Sequence, residues 1–274
     1  MKDERSNMFE GKYAIVTGST QGLGAQIARL LANQGMAGLV ICGRSVDRGE
    51  EVARRIEAEG RSRVRFVQAD LGHVEDCRNI VASADQAFGR VDFLVNAAAL
   101  TDRGTIIDTD PALFDRLYAV NVRAPFFLMQ DVIKLMRREA TEGAIVNISS
   151  MSSHAGQPFI AAYSATKAAL DTLTRNTAYA VLRNRIRVNG LNIGWMASDG
   201  EDRIQRVYNK RSDGWLDEAA ARLPFGRLIS TGEVARVVSF LLSADSGLMT
   251  GSTIHYDQTV IGAFDKAPLP PGPL

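Results

Sequence analysis

Short apolar runs alternate with longer amphipathic stretches along almost the whole chain. The segments 13–18 (YAIVTG), 38–44 (GLVICGR), 64–71 (VRFVQADL), 92–98 (DFLVNAA), 143–150 (GAIVNISS), 186–193 (IRVNGLNI) and 251–257 (GSTIHYD) have the length and β-branched content of buried strands. Between them, 24–35, 48–60, 74–88, 111–138, 162–183 and 231–243 repeat apolar residues at helical spacing. Apolar strands alternating with helices predict an α/β fold, a parallel sheet covered by helices on both faces. Seven strands without a break in rhythm predict a single domain over 1–262. Two stretches depart from the pattern. Residues 195–227 form a polar, aromatic-dotted insertion of the kind that closes over a binding site, with a candidate amphipathic cover at 197–211. Residues 263–274 carry four prolines and read as an extended C-terminal arm or a frayed end.

Composition narrows the function classes. The 274 residues are 46% hydrophobic and carry a formal net charge of +1, from 32 basic and 31 acidic side chains. That balance gives no electrostatic reason to expect a nucleic acid or a membrane surface as partner. Two cysteines, Cys42 and Cys77, make neither a disulfide framework nor a thiolate metal set, and His73, His154 and His255 have no metal-ligand spacing, so no metal is expected. The charged N-terminus lacks an apolar signal core, and no apolar run reaches the roughly 18 residues of a membrane span. A cytoplasmic location is the resulting expectation.

The first strand runs into TGSTQGLG (17–24), which opens the first helix. Glycines there let a pyrophosphate approach bare backbone while helix N–H groups point at it. Gly18, Thr20, Gln21, Gly22, Leu23 and Gly24 are therefore candidate dinucleotide contacts. An acidic residue about 20 positions further on would accept from the 2′-hydroxyl of NAD. This chain has Arg44 there, which suits the 2′-phosphate of NADP; Ser45 and Asp47 keep NAD open. In AAYSATKAAL (161–170), Tyr163 and Lys167 lie four apart on one helix face, where an ammonium can favour a phenolate.

These pieces resemble the short-chain dehydrogenase/reductase family in its ordinary single-domain form. The motifs TGSTQGLG, ADL, LVNAAA, YAVNV, IVNISS and YSATK stand in family order, and the resemblance runs from residue 9 to about 258. It implies a Rossmann-type doubly wound domain with a seven-stranded parallel sheet, assembled as a homodimer or homotetramer. It also implies four catalytic residues. Tyr163 is the proton acceptor or donor, and Lys167 lowers its pKa and holds the nicotinamide ribose. Ser150, thirteen positions before the tyrosine, orients the substrate oxygen, with Ser149 the neighbouring alternative, and Asn121 supports a proton relay. Around the cofactor the resemblance adds Asp70 and Leu71 at the adenine, Asn96, Ala97 and Ala98 beneath it, and Gly194, Met196 and Ser198 near the nicotinamide. The family's N-N-A-G is Asn96-Ala97-Ala98-Ala99 here, its Pro-Gly after the sixth strand is Ile193-Gly194, and its final D-G-G is Asp257-Gln258-Thr259.

The substrate side would draw on Ser150, Ser152, His154, Gln157, Tyr163 and Trp195, joined by Thr101, Asp102, Arg103 and Met196. Many hydrogen-bonding groups beside an aromatic suit a sugar or polyol better than a steroid or long acyl chain. A reductase of another carbonyl, such as a 3-oxoacyl thioester, and a cofactor-binding sensor without turnover are the competing readings.

Overall fold

The apolar runs become strands and pair in parallel throughout. The computed structural model describes residues 7–60, 62–154, 156–207, 210–211 and 213–262. The main sheet contains β1 (Tyr13–Val16), β2 (Gly38–Gly43), β3 (Arg63–Gln68), β4 (Phe93–Asn96), β5 (Ala144–Ser150), β6 (Arg187–Ile193) and β9 (Thr253–Tyr256). Their spatial order is β3-β2-β1-β4-β5-β6-β9. All seven expected strands are present. A short second pairing joins β7 (Met196–Ala197) to β8 (Ile229–Ser230). The expectation of strands buried on both faces holds for β2, β4 and most of β5, but β3 lies at the edge and leaves alternate residues exposed.

Helices cover both faces with separate apolar cores. One core packs Ile27 and Leu31 of α1 (Gly22–Asn33) with Val238 and Leu241 of α9 (Thr231–Leu242). The other packs Ile80 of α3 (Val74–Phe88) with Leu128 and Val132 of α5 (Ala124–Arg138). Burial at this scale, about 1.5–3 kcal/mol per large aliphatic side chain, is what holds the layers together. α2 (Val46–Glu59) flanks β2 and β3.

The stretch 111–138 differs from the single helix that its periodicity predicts. It divides into α4 (Pro111–Tyr118), a π-helical turn over Ala119–Arg123, and α5. The cause is in the sequence. Pro125 has no N–H, so the carbonyl four residues back, that of Asn121, loses its ordinary helical donor. The Ala124 N–H reaches instead to Ala119 O, five residues back. The long α6 (Ala161–Val181) buries Lys167 and Leu170 against the sheet.

Chain order reverses between β1 and β4, which lie side by side although β1 leads on to β2. A parallel sheet opens a crevice at such a switch point, beyond the carboxyl ends of its strands. The segments after β1, β4, β5 and β6, where the motifs cluster, all converge there. The proline-rich arm expected at 263–274 lies outside the described residues.

Candidate active site

The crevice is a cleft of about 1480 Å³. Single-ligand pockets run to about 300–1,000 Å³, so this one has room for a dinucleotide and a second molecule.

Its nucleotide end is built on α1. The three glycines do different jobs. A Cβ on Gly24 would lie 2.4 Å from Gly18 O, and one on Gly18 would lie 2.7 Å from Ala98 Cα, so both are bare to let strand and helix close together. Gly22 has nothing within 4 Å of a Cβ and a φ of +54°, so its bareness leaves space and permits the left-handed turn. No side chain caps the first turn of α1 and no acidic residue stands in it, which leaves N–H donors for an anion. Beside them, Arg44 is exposed at the end of β2, and Arg48 Nη1 donates to Gln21 Oε1 at 2.6 Å. Both arginines line the cleft, as do Thr20, Leu23, Asp70, Leu71 and Ala97. The Asp70 carboxylate is held by the Gly72 N–H at 2.9 Å. Unpaired helix donors, an open glycine and two guanidinium groups fit a phosphorylated dinucleotide.

The floor shows how the altered N-N-A-G motif is accommodated. Thr17 Oγ1 accepts from Ala97 N at 3.0 Å and from Ala98 N at 3.1 Å. Asn96 lies below the cleft wall and donates to Asn147 Oδ1 across β4 and β5 at 2.8 Å. Ser45 also stays off the wall: its hydroxyl caps α2 by accepting from Arg48 N at 3.5 Å. Gly194 is required by Asp257, whose Oδ1 would sit 1.7 Å from a Cβ there. The glycine left of the usual Pro-Gly thus makes room for the aspartate left of the usual D-G-G.

At the reaction end, Ser150 and Tyr163 both line the cleft. Burial pushes the Tyr163 phenol up to about 12; hydrogen bonding with Ser150 acts downward and the Glu201 carboxylate upward. Lys167 is 2% exposed, and its Nζ donates to Ile148 O at 2.8 Å, 5.7 Å from the Tyr163 ring centroid. Burial lowers the ammonium to about 8, with Asp171 acting the other way. The expected lowering of the phenol by Lys167 is therefore outweighed: desolvation dominates, and Ser150 is the group that favours the phenolate. Ser149 is buried and turned to Lys167 O at 3.4 Å, so of the two serines Ser150 meets the tyrosine. Asn121 is 1% exposed and off the cleft wall. Its side chain accepts from Leu100 N at 2.8 Å and donates to Leu100 O at 2.9 Å and to Thr166 Oγ1 at 3.1 Å. With the side chain committed, only its carbonyl, freed by Pro125, is available to a relay.

Ser150, Ser152 and Gln157 form one chain: Ser150 Oγ donates to Ser152 Oγ at 3.1 Å, and Ser152 Oγ to Gln157 Oε1 at 2.6 Å. Trp195, Met196 and Ser198 also line the cleft. Ser198 also caps α7 (Asp199–Val207), accepting from Glu201 N at 3.1 Å. His154 is not brought to this cleft. Its Nε2 lies 3.0 Å from His255 Nε2, a pairing across 101 positions that linear spacing does not reveal. Several cleft residues were given no site role in the sequence, among them Arg48, Asp257 and Glu201. Arg48 lies one turn beyond the predicted 2′-phosphate residue and was legible; the other two are placed by packing alone.

A strand–glycine–helix cradle and a Ser–Tyr–Lys group in one cleft define a nicotinamide-dependent oxidoreductase. The family model described as "Enoyl-(Acyl carrier protein) reductase" matches residues 18–259. An uncharacterized oxidoreductase of Thermotoga maritima is 34% identical over 91% of this chain and 97% of its own. A 3-oxoacyl-[acyl-carrier-protein] reductase of Staphylococcus epidermidis is 31% identical over 89% of this chain and 96% of its own. The solved L-sorbose reductase of Gluconobacter frateurii, complexed with NADPH and L-sorbose, is 28% identical, with a TM-score of 0.88 over 94% of this chain and all of its own. The chain belongs to the short-chain dehydrogenase/reductase family.

Proposed function

We propose that this oxidoreductase uses NADP(H) and interconverts a hydroxyl and a carbonyl on an uncharged polyhydroxylated small molecule, a sugar or polyol. The observation that carries the reading is the continuous polar wall Ser150–Ser152–Gln157 beside Tyr163, faced by Trp195 and Glu201. Such a wall matches a ligand dense in hydroxyls and leaves unpaired polar groups against an acyl chain. The likeness to a structure holding NADPH and L-sorbose supports both halves of the proposal. Arg44, with Arg48 beside it, supplies the 2′-phosphate contact.

The nicotinamide cofactor supplies the hydride donor or acceptor. Ser150, its hydroxyl hydrogen turned from Ser152 to the substrate oxygen, donates to that oxygen, and Tyr163 gives its phenolic proton to it in reduction or takes it back in oxidation. Lys167, anchored on Ile148 O, positions the ribose and adds positive charge. A proton then returns from solvent to Tyr163 by way of Lys167 and water held at the Asn121 backbone carbonyl. Exposed Phe114, Phe126 and Tyr179, the last 82% accessible, support assembly as a homo-oligomer.

The second reading is a 3-oxoacyl thioester reductase, favoured by the relative of that name. The test follows NADPH and NADH oxidation with ketohexoses, hydroxyl-free ketones and a 3-oxoacyl thioester. Turnover of ketohexoses with NADPH is expected. Thioester turnover with inert sugars transfers the assignment to the second reading.

A further inference from the structure

The cleft lining carries a carboxylate with one oxygen that is unpaired among the described residues. Helix α7 is polar, and both tryptophans of the chain hold its first turn. Trp195 Nε1 donates to Glu201 Oε1, and Trp215 Nε1 donates to Asp202 Oδ1, each at 2.8 Å. The two adjacent acids then part ways. Asp202 is paired with Arg206 at 2.7 Å. Glu201 has no cationic partner among the described residues; its Oε1 takes a second neutral donor, Gln205 Nε2, at 2.6 Å. Gln205 is itself buried, so this support is shielded from water. Glu201 Oε2 takes no hydrogen bond from the described residues, although Glu201 lines the same cleft as Ser150 and Tyr163.

A carboxylate oriented through one oxygen and free at the other is a hydrogen-bond acceptor without a donor. Its surroundings decide which donor it suits. Arg103, Arg116 and Arg211 also line the cleft, which works against a cationic amine, and the carboxylate itself repels an anion. A neutral hydroxyl meets neither objection, and its bond to a charged acceptor is of the stronger kind.

We propose that Glu201 is a specificity-determining residue that accepts a hydrogen bond from a substrate hydroxyl close to the reacting carbon. Trp195 and Gln205 are positioning residues for it. The proposal rests on the polyol reading above and names the group that enforces it. It selects hydroxylated ketones over their deoxy counterparts.

The test is a cycle of substrate against enzyme. Ketohexoses and their singly deoxygenated analogues are compared with wild type, Glu201→Gln and Glu201→Ala, reading kcat/KM with NADPH. Calorimetric binding of each sugar to the NADPH complex of the same enzymes gives a readout apart from turnover. Removing one particular hydroxyl is expected to cost wild type roughly ten- to hundredfold. In the two variants that discrimination should shrink to about threefold or less, since the hydroxyl no longer meets a charged acceptor. Undiminished discrimination in both variants would overturn the role of Glu201 and leave the polyol reading standing. Thioester or hydroxyl-free ketone turnover, with ketohexoses neither bound nor reduced, would overturn both.

Discussion

The nucleotide end of the cleft and its substrate end are built by different means. The first uses backbone: bare glycines, uncapped helix N–H groups and a floor tied to Thr17, all fastened to the central strands β1 and β4. The second uses side chains on short elements, with two indole N–H groups and a buried glutamine holding α7 in place. Backbone features survive only if particular residues stand at particular spacings, so the nucleotide end is spelled out as motifs. Side-chain features depend on packing between distant segments, so the substrate end is not. The two ends should also break differently: changes at the first should alter which cofactor binds, and changes at the second which substrate.

The largest effect is expected where the ends meet. Tyr163→Phe removes the proton carrier and leaves the ring. It should lower kcat by roughly 10²–10⁴-fold, the usual span for a general acid or base, with NADPH affinity within about twofold of wild type. Retained turnover would put the proton path elsewhere.

Lys167 should show its burial as a pH dependence. Its folded pKa of about 8 lies below the ordinary lysine value of 10.5. From pH 8 to 10.5 the unfolded chain therefore holds a proton that the folded chain has released, and stability rises with pH. Burying the ammonium costs the fold on the order of 3 kcal/mol below pH 8, and this cost is relieved as the pH climbs. Tyr163 works oppositely from pH 10 upward, because its folded pKa is raised to about 12. Urea unfolding of wild type and Lys167→Met, compared between pH 8 and 10, should show wild type gaining relative to the variant. A constant difference would show that the ammonium is not desolvated.

Arg44→Ala tests the nucleotide end. It should weaken NADP binding by roughly ten- to a hundredfold, the worth of a charge-assisted hydrogen bond, and NAD binding far less. Equal losses would remove the 2′-phosphate assignment. Arg44 was singled out because the end of β2 is a defined place in the fold; the seven strands were legible as apolar runs, though not their spatial order, and the Tyr163–Lys167 pair was legible in its helical spacing. The π-turn at Asn121 was half legible: Pro125 announces a missing donor, but helical periodicity on both sides hides the break. His154 was read toward the substrate because no local pattern reports that β9 brings His255 beside it. Glu201 was invisible for the same reason, being one acid among several in a polar helix until Trp195 and Gln205 single it out.

The smallest effect tests the substrate end. Trp195→Phe keeps an aromatic ring against the cleft but deletes the N–H that orients Glu201. Gln205 still holds the same oxygen, so the carboxylate should loosen and not collapse. A net hydrogen bond of about 1 kcal/mol then predicts a KM for the hydroxylated substrate raised by roughly fivefold, with kcat and NADPH affinity changed far less. Trp215→Phe removes the corresponding bond to Asp202, an acid that Arg206 still pairs. It should cost some stability but raise KM less, because Asp202 does not line the cleft. If the two variants raised KM equally, α7 would act as a single rigid cover, and the difference between its adjacent acids would carry no meaning for recognition.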